Sequence, residues 1–349
     1  MNDLPRTVEE VDLAWLRGAL GAERPSREIT GMRIVEVIHG ACTKLRIEID
    51  AEHDFLPRRV IMKAGFEPHS EAMAHMHANE MHAYRDFVPT IETNSPRCHL
   101  AAEDSHGRTL VILEDLALRD VEFQSLHRPL DRSTAAAFLE GLARQHARWW
   151  GEKSSLLARF PWLPDTSEAR FHHYFAILND AARFAEFAER PRCAAMPREL
   201  LDPTRIRAAH AAMRVHHETM PFTVLHGDMH LGNLYRDADG RPGFLDWQPR
   251  LAPWSVDVSY FLVAGLDLVD RRHWERDLLR HYLAALTRHG IDAPSFEEAF
   301  AAYRRDIIWG LLIWMLNGWQ FQTEAVNTAA ASRFAMAMID HDVFAELGV

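Results

Sequence analysis

FTVLHGDMHLGNLYRDADGRPGFLDWQ, residues 222–248, interrupts a C-terminal half whose composition is otherwise helical. Two short runs within it, 233–236 and 243–246, have the composition of β-strands. The residues between these runs, DADGRP, favour a turn. The stretch therefore predicts a β-hairpin that follows a polar loop and is embedded among helices.

The polar loop has the spacing of a phosphoryl-transfer site. In the protein-kinase pattern H-R-D-x-x-x-x-N, the Asp accepts the substrate's hydroxyl proton and the Asn holds a magnesium ion. Asp228 and Asn233 have this spacing, and Asp246 closes the hairpin that follows. Phosphoryl transfer mainly requires positioning and charge neutralisation, which hard oxygen ligands for Mg²⁺ and one carboxylate beside the nucleophile can provide. The pattern predicts Asp228 as the catalytic base and Asn233 and Asp246 as magnesium ligands.

The N-terminal third adds independent support. Apolar residues alternate in three runs, 32–38, 45–49 and 58–63, which predicts an antiparallel sheet. The third run ends in Val-Ile-Met-Lys, and kinases carry a similar strand whose Lys contacts phosphates and pairs with a helix Glu. Lys63 is therefore a candidate phosphate ligand. Its candidate partner is Glu80, in the helical stretch that follows, with Glu71 as the alternative.

The loop that would cover the phosphates is less evident. The chain contains no G-x-G-x-x-G, and the equivalent position is 39–43, His-Gly-Ala-Cys-Thr. Gly40 would permit a tight turn there, and backbone N–H groups or Thr43 could meet phosphate. Gly227 replaces the Arg of H-R-D, Trp247 replaces the Phe that follows the metal Asp in kinases, and there is no A-P-E element. Regulation by activation-loop phosphorylation is not expected.

These motifs together resemble those of the aminoglycoside phosphotransferase and choline kinase superfamily, and within it the ecdysteroid-kinase-like (CHK kinase-like) branch. The segments that carry the resemblance are HGDMHLGNLY (226–235), DADGRPGFLDWQ (237–248), DVSYF (257–261), ILEDL (112–116) and NEMHAYRDF (79–87). It covers most of the chain from about residue 30. Its motifs are specific to the superfamily but not to a substrate.

The resemblance implies an α+β, bilobal protein-kinase-like fold. A small antiparallel β-sheet N-lobe with an N-terminal helix, 1–115, would bind the nucleotide, and a large, mainly helical C-lobe, 116–349, would carry the catalytic loop, metal site and acceptor pocket. Its other implications concern individual residues. The nucleotide base would bond to backbone at Glu114 and Leu116, Asp257 would support the catalytic loop, His226 would brace it, and His230 would do the same or face substrate.

Bulk properties restrict the partners. The net charge of −11 disfavours nucleic acid and anionic membranes, because both repel a protein of this charge. Three separated cysteines indicate a reducing compartment. The longest apolar run, 307–316, is too short for a membrane span, and the acidic start broken by Pro5 is wrong for a signal peptide. We expect a cytoplasmic protein, a monomer or homodimer.

Competing functions are weaker. H-G-D-x-H superficially resembles a metallophosphoesterase loop, but no second cluster of His and Asp ligands follows. A catalytically inactive kinase-like scaffold should lack catalytic residues, and every expected one is present. The histidines between residues 69 and 82 are interpreted as exposed helix residues rather than metal ligands. They are His69, His75, His77 and His82.

The sequence thus predicts a small-molecule kinase that uses Mg²⁺ and ATP, or GTP, to phosphorylate a hydroxyl. The acceptor is open. Segments 160–200 and 300–325 are rich in aromatic residues, most of which are expected in the core. Any that line the site would favour a bulky, apolar alcohol. The alternative is an aminoglycoside or macrolide antibiotic O-phosphotransferase, although a polycation would need a cluster of carboxylates.

Overall fold

The structure, a computed structural model, describes residues 3–20, 29–51, 57–164 and 170–349, with the backbone alone at 170–173. It divides into two compact units, Met1–Glu122 and Phe123–Val349. The assignment of nucleotide binding to the N-terminal unit and of acceptor binding to the C-terminal unit stays a prediction.

Ten strands lie in the described residues. They are β1 (Ile29–Ile38), β2 (Thr43–Ala51), β3 (Arg59–Ala64), β4 (Cys98–Glu103), β5 (Thr109–Glu114), β6 (Val121–Phe123), β7 (Phe222–Leu225), β8 (Leu234–Asp237), β9 (Pro242–Phe244) and β10 (Arg250–Pro253).

The α-helices, in the same described ranges, are α1 (Leu13–Leu20), α2 (Ala74–His82), α3 (Arg132–Arg148), α4 (Lys153–Arg159), α5 (Arg170–Asn179), α6 (Ala181–Ala188), α7 (Pro203–His217), α8 (Ser255–Gly265), α9 (Leu268–Arg288), α10 (Phe296–Arg305), α11 (Ile307–Leu316), α12 (Glu324–Asp340) and α13 (Val343–Glu346). A single π-helical turn, Ala83–Phe87, extends α2.

The N-terminal unit is built on a five-stranded antiparallel sheet of order β1-β2-β3-β5-β4. The three predicted strands are present as β1 to β3. Alternate residues of β2, Leu45, Ile47 and Ile49, are buried on one face of the sheet, as the period of two requires. The sequence did not predict β4, which pairs with β5 at the edge. Its residues are mostly half-buried, so its hydrophobic alternation is weak.

Thr7 and Glu10 have the spacing of a capping box, which predicts a helix that begins directly after Thr7, but the helix begins later. Thr7 makes no capping hydrogen bond, and only a 3₁₀ turn, Val8–Glu10, follows it. The helix proper is α1, whose first turn is capped where Asp12 Oδ1 accepts the Trp15 N–H at 2.7 Å. The residue that caps the helix is therefore Asp12 and not Thr7.

The C-terminal unit packs around two helices that are buried along their entire length, α8 and α11. The apolar run at 307–316 is therefore a core helix. Across the described ranges, no helix combines the length and the apolar character needed to cross a bilayer. Between the helices lie the antiparallel pair β7–β10 and the hairpin β8–β9.

The hairpin differs from the prediction at its ends. β8 begins at Leu234, because Asn233 belongs to a preceding 3₁₀ turn, and β9 ends at Phe244, two residues before Asp246. Asn233 and Asp246 consequently lie just outside the two strands. The β7–β10 pair was not predicted from the sequence.

Candidate active site

Residues 226–233 connect β7 to β8 and are called the catalytic loop here after the predicted role of Asp228. Its two ends are tied to the segment that follows the hairpin: the Leu245 N–H donates to Asn233 O at 3.0 Å, and the Gln248 N–H donates to His226 O at 3.0 Å. Asp246 lies between these two bonds in the chain. The three predicted chemical groups, Asp228, Asn233 and Asp246, are therefore brought into one region of the C-terminal unit by backbone pairing.

Asp228 and Asn233 are in direct contact. The buried Asn233 amide Nδ2 donates to the Asp228 backbone O at 2.9 Å and to its carboxylate Oδ2 at 3.2 Å. Because the nitrogen is committed to Asp228, the orientation of the amide is fixed and Asn233 Oδ1 is its remaining ligand atom. The bond also restrains the Asp228 carboxylate, which is only partly buried.

Asp246 has a left-handed backbone, with φ of 56°. Aspartate tolerates this region better than most residues, but the conformation still carries a cost. The surrounding structure holds it, since Trp247 is completely buried and packs at a tilt against the His226 ring, with centroids 4.4 Å apart. The aromatic residue after Asp246 thus anchors this turn to the catalytic loop.

Gly227 makes the entry to the loop possible. Its φ is 84°, and a Cβ at this position would lie 1.8 Å from Gln248 O. Only glycine allows the loop and the segment after the hairpin to approach this closely. The replacement of the kinase Arg by Gly227 therefore has a steric reason in this chain.

His226 bridges the loop to the segment before Asp246, in the bracing position that the family resemblance implied. Its Nδ1 accepts the Asp228 N–H at 3.2 Å and its Nε2 lies 3.1 Å from Leu245 O. A backbone N–H can only donate and a carbonyl can only accept, so the ring is neutral with its proton on Nε2. Complete burial lowers the pKa of His226 and favours this neutral form.

Asp257, from α8, supports the catalytic loop by accepting hydrogen bonds from two of its backbone N–H groups. Its buried carboxylate accepts the His226 N–H at 2.7 Å and the Gly227 N–H at 3.2 Å. Burial by itself raises the pKa of Asp257, but the hydrogen bond with His146 and nearby positive charge outweigh it, so that the pKa is lowered. An ionised acceptor of two backbone N–H groups fixes the loop strongly.

A second layer lies behind Asp257. His146, from α3, approaches the Asp257 carboxylate with its Nε2 at 3.4 Å, and its Nδ1 lies 2.7 Å from the Tyr282 hydroxyl. Burial and the charge of Asp257 raise the pKa of Tyr282 well above its ordinary value, so it remains a phenol. Neither His146 nor Tyr282 was predicted from the sequence, because both lie far from residues 226–246 in the chain and belong to no motif of their own.

His230 caps the 3₁₀ turn Leu231–Asn233, where its Nδ1 accepts the Gly232 N–H at 3.0 Å. Its Nε2 lies 3.8 Å from Asp228 Oδ2. The ring packs edge-on against Trp314 of α11, with centroids 5.4 Å apart. His230 therefore links the catalytic loop to the last turn of α11.

In the N-terminal unit, Lys63 and Glu80 form a buried ion pair. Lys63 lies on β3 and Glu80 on α2, as the kinase-like pattern predicts, whereas Glu71 is exposed. A small cavity beside the pair is also lined by Cys42 and His77. The pair therefore adjoins the loop between β1 and β2.

The β1–β2 loop, residues 39–42, is held by the segment that follows β3. Glu67 Oε1 lies 2.6 Å from His39 Nδ1 and accepts the hydroxyl of Thr43, the first residue of β2, at 3.0 Å. The Thr43 side chain is completely buried. In this arrangement the Thr43 hydroxyl is already bonded to Glu67, and its predicted contact with phosphate stays a prediction. Gly40 has a φ outside the left-handed region, and its Cβ would meet only Cys42 O at 3.6 Å, so this turn does not require glycine.

Two histidines complete the attachment of this loop. His69 Nε2 lies 2.8 Å from Gly40 O, and His77 Nε2 lies 3.0 Å from Ala41 O. The interpretation of these two residues as merely exposed helix histidines was wrong, because both are half-buried against the loop. Burial lowers the pKa of His77, with Lys63 adding to the effect. Across the described residues there is no cluster of three or more His, Cys, Asp or Glu side chains suited to a metal.

Glu114 and Leu116 lie where β5 ends. The Glu114 N–H donates to Arg97 O at 2.8 Å and its side chain accepts the Arg97 N–H at 3.1 Å. Leu116 opens a 3₁₀ turn capped by Asp115, which is buried and paired with Arg59 at 2.5 Å. The backbone here is well fixed, and its bonding to a nucleotide base stays a prediction.

A model of the ecdysteroid kinase-like family matches residues 39–292. Among curated protein sequences, none matches. Solved structures resemble the chain despite low identity, which confirms the α+β, protein-kinase-like fold. The choline kinase of Cryptosporidium parvum Iowa II is 11% identical with a TM-score of 0.59, over 96% of this chain and 97% of that one.

Two further structures support the same fold. The ethanolamine kinase of Plasmodium vivax is 11% identical with a TM-score of 0.53, over 88% of this chain and 81% of its own. A GDP and kanamycin complex of an aminoglycoside phosphotransferase is 13% identical with a TM-score of 0.51, over 95% and 99%. The fold is thus shared by proteins whose names refer to chemically different small molecules: choline, ethanolamine and an aminoglycoside.

Proposed function

Because the chain belongs to the ecdysteroid kinase-like family, we propose that it transfers the γ-phosphoryl group of a magnesium-bound nucleotide, ATP or GTP, to a hydroxyl of a small molecule. The observation that carries the proposal is the contact between Asp228 and Asn233 on a loop paired on both sides of Asp246. A carboxylate for the acceptor hydroxyl and oxygen ligands for a cation are then adjacent. Phosphoryl transfer needs little else from side chains beyond a cation for the phosphates.

The donor set fits Mg²⁺. Asn233 Oδ1 and the Asp246 carboxylate are hard oxygen ligands, and the amide orientation follows from the bonds of Asn233 Nδ2 to Asp228. Two protein ligands suit a magnesium ion that completes its shell with water and phosphate oxygens. When bound, the ion would neutralise charge on the phosphates. A binuclear phosphoesterase would need more ligands than this region supplies.

Asp228 accepts the proton of the acceptor hydroxyl in this proposal. The Asn233 amide restrains its carboxylate at Oδ2, and the His226 ring fixes its backbone N–H. A carboxylate held in this way is already oriented toward a bound acceptor hydroxyl, which reduces the entropy lost in reaching the transition state. In the N-terminal unit, Lys63 would contact the nucleotide phosphates, and Glu80 would hold its ammonium in place. The β1–β2 loop would offer backbone N–H groups to the same phosphates.

Two substitutions test these roles. Asp228→Asn should abolish transfer to the acceptor while leaving nucleotide binding largely intact, so retained turnover would remove Asp228 from the base role. Asp246→Ala should abolish the magnesium dependence of nucleotide binding, and an unchanged affinity would refute its assignment as a ligand. Product formation by mass spectrometry and isothermal titration with Mg-ATP and Mg-GTP provide the measurements.

A thermal shift assay separates this function from its competitors. The wild-type chain should be stabilised by nucleotide and Mg²⁺ together more than by either alone. A non-catalytic scaffold or a hydrolase has no need of both ligands together. Equal stabilisation by nucleotide with and without Mg²⁺ would count against a kinase.

A further inference from the structure

A cavity of about 720 Å³, which we call the N-terminal cavity, lies within the N-terminal unit. Its walls come from three parts of that unit. They are the N-terminal segment 4–6, the stretch 64–77 that runs from the end of β3 into α2, and residues 106–110 of the β4–β5 turn and the start of β5. A volume of this size is typical of sites that bind small organic molecules.

The N-terminal cavity is distinct from the small cavity beside the Lys63–Glu80 pair. Within the described residues, its lining excludes Lys63 and Glu80, whereas Ala64 and His77 are among the residues that line both cavities. Successive side chains of a strand point to opposite faces of the sheet, so Ala64 and Lys63 face opposite ways. A ligand in the N-terminal cavity therefore contacts His77 without contacting Lys63.

One wall of the N-terminal cavity is fixed by the buried side chain of Asp104. Its carboxylate accepts the Leu4 N–H at 3.3 Å, which ties the N-terminal segment to the β4–β5 turn. It also accepts the Arg108 N–H at 3.1 Å and Arg108 Nε at 2.8 Å. The wall is thus preorganised, which lowers the entropic cost of binding a ligand.

The lining of the N-terminal cavity favours an uncharged ligand. It contains two arginines, Arg6 and Arg108, and two glutamates, Glu67 and Glu71, whose formal charges cancel. Arg108 is also paired with Asp104. An ion therefore meets no strong field of the opposite sign, whereas an apolar body gains from leaving water. The apolar side chains of the lining are Leu4, Pro5, Ala64, Pro68, Ala74 and Leu110.

His77 supplies a hydrogen-bond acceptor to this lining. Its Nε2 lies 3.0 Å from Ala41 O, and because a carbonyl only accepts, the proton is on Nε2. Burial lowers the pKa of His77, which keeps the ring neutral and leaves Nδ1 with a lone pair. A Cβ at Gly65, another lining residue, would lie 3.1 Å from Nδ1. Because glycine has no side chain, the space in front of Nδ1 is not filled from this position.

Two residues of the lining also hold the β1–β2 loop. Glu67 Oε1 lies 2.6 Å from His39 Nδ1, and His77 Nε2 lies 3.0 Å from Ala41 O. Helix α2, which carries His77, also carries Glu80 of the buried ion pair. A ligand that packs on Glu67 and His77 stabilises the arrangement in which the loop is held. Occupancy of the cavity is thereby linked to groups that are proposed to bind the nucleotide phosphates.

We propose that the N-terminal cavity is an effector site for a small, uncharged, largely apolar molecule that donates one hydrogen bond to His77. Its occupancy tightens nucleotide binding, because the ligand and the β1–β2 loop share the contacts of Glu67 and His77. Binding of the effector involves no phosphoryl transfer and is independent of the proposed function. Only its effect on the nucleotide rests on that function.

The probe for this site is naphthalene-2-carboxamide, which is uncharged, largely apolar and carries an N–H donor. Three analogues keep the ring system: the N,N-dimethyl amide lacks the donor, 2-naphthoate is an anion, and 2-naphthylmethylamine is a cation at neutral pH. None of these compounds has an alcohol group, so none can serve as the proposed acceptor. Binding to the wild-type chain is measured by isothermal titration calorimetry, with and without saturating Mg-ATP.

Two substitutions locate the bound probe. Ala74 is exposed at the start of α2 and lines the cavity, so the indole of Ala74→Trp fills space that the probe would occupy. Ala72 is also exposed, on the preceding 3₁₀ turn, and is not part of the described lining, so Ala72→Trp is the matched control. Thermal unfolding verifies that both variants are folded.

We expect the wild-type chain to bind the carboxamide at least about fivefold more tightly than any of the analogues. Ala74→Trp should weaken binding about tenfold or more, and Ala72→Trp should match the wild type. Equal binding by the two variants, or displacement of the probe by Mg-ATP, overturns the assignment of the site, because the probe would then lie elsewhere. Tighter binding of the naphthoate or the amine overturns the uncharged class, and a lack of binding by all the compounds overturns the proposal.

Titration of Mg-ATP and Mg-GTP with and without saturating probe tests the effect on the nucleotide. The nucleotide Kd of the wild type should fall about threefold or more with the probe, and that of Ala74→Trp should not change. By linkage, saturating nucleotide should tighten probe binding by the same factor. If a nucleotide binds with the same Kd in both conditions, the effector role is wrong and the proposed function stands. If neither nucleotide binds, the proposed function fails, whereas binding of the probe to the cavity does not depend on it.

Discussion

The catalytic loop and the β1–β2 loop are held in opposite ways. The catalytic loop is fixed by groups that are almost entirely buried, above all Asp257 and His226. The β1–β2 loop is fixed by side chains that remain partly accessible, such as Glu67 and His69. The first arrangement resembles a core and the second a set of surface contacts, although both loops are proposed to serve the same reaction.

The two loops also differ in whether their histidine contacts depend on the protonation of the ring. His226 accepts a hydrogen bond at Nδ1, so protonation of the ring would remove an acceptor from the Asp228 N–H. His69 and His77 face carbonyl oxygens through Nε2 and can donate whether neutral or charged. The catalytic loop therefore depends on a protonation state, whereas the histidine contacts of the β1–β2 loop do not. Four substitutions and one matched control test this contrast, in order of decreasing expected effect.

Gly227→Ala should have the largest effect. The new Cβ would lie 1.8 Å from Gln248 O, so backbone must move by more than about 1 Å to relieve the overlap. A displacement of that size at a reacting group costs about 100-fold or more in kcat. Steady-state kinetics and unfolding in guanidinium chloride measure the outcome.

Gly40→Ala is the matched control in the β1–β2 loop. Its Cβ would meet only Cys42 O, at 3.6 Å, which is ordinary van der Waals contact. We expect kcat within about twofold of the wild type, since surface changes of this kind usually alter stability by under about 0.5 kcal/mol. Similar losses in both variants would remove the contrast between a tightly and a loosely packed loop.

The two glycines also show what the sequence could and could not establish. The H-G-D-x-x-x-x-N spacing put Asp228 and Asn233 on one short loop, and in the structure their side chains are in contact. Lys63 and Glu80 were predicted by analogy of strand and helix positions, and the structure places them in contact. Nothing local distinguishes Gly227 from Gly40, because the steric requirement at Gly227 comes from Gln248, a residue that follows the intervening hairpin.

Long-range partners escaped prediction for the same reason. β7 and β10 each have four residues, and all of them are buried. Neither strand therefore shows the alternation of apolar and polar residues that indicates a strand. His146 reaches Asp257 from α3, and Glu67 reaches His39 across the sheet edge. Such contacts depend on tertiary packing, and neither composition nor spacing in one sequence encodes them separately.

Asp257→Ala should have the next largest effect. It leaves two buried N–H groups, of His226 and Gly227, without their acceptor. Each unsatisfied group costs about 1–3 kcal/mol, so the free energy of unfolding should fall by about 3 kcal/mol. Loss of a supporting partner commonly reduces activity about 10- to 100-fold. Urea unfolding of the variant beside the control Gly40→Ala provides the comparison, and a loss under about 1 kcal/mol would contradict a supporting role.

His226→Phe tests the dependence on protonation. The pKa of His226 is lowered below 6.5 by burial, so below that pH the unfolded chain binds the proton that the folded chain refuses. The stability due to neutral His226 is complete above pH 6.5 and is lost as the pH falls toward the folded pKa. Phenylalanine keeps an aromatic ring against Trp247 but cannot bind a proton, so the pH-dependent contribution of His226 to stability is removed.

Wild type and His226→Phe should therefore differ in the slope of the unfolding free energy between pH 6.5 and about 5. The variant should lose up to about 1.4 kcal/mol per pH unit of that slope, and its kcat should fall about tenfold because the Asp228 N–H loses its acceptor. Part of the slope should remain, since burial also lowers the pKa of His210, to about 3. Identical slopes would mean that the pKa of His226 is the same in the folded and the unfolded chain.

Glu67→Gln should have the smallest effect, and it tests the other side of the comparison. The hydrogen bond with His39 lowers the pKa of Glu67 against the opposing effect of burial. Its contribution is therefore present above pH 4.5 and is lost only as the pH falls further, through the folded pKa. The amide oxygen introduced by this substitution can still accept the Thr43 hydroxyl, and a partly exposed ion pair contributes under about 1 kcal/mol.

We therefore expect the nucleotide KM of Glu67→Gln to change by no more than about threefold, with no new pH dependence between about pH 6 and 8. The histidine contacts to Gly40 O and Ala41 O persist through this range, because donors at Nε2 survive protonation. A loss of nucleotide affinity comparable to the activity loss of Asp257→Ala would show that the β1–β2 loop is as cooperative as the catalytic loop. The two loops would then differ in burial but not in how strongly a single contact supports the loop it belongs to.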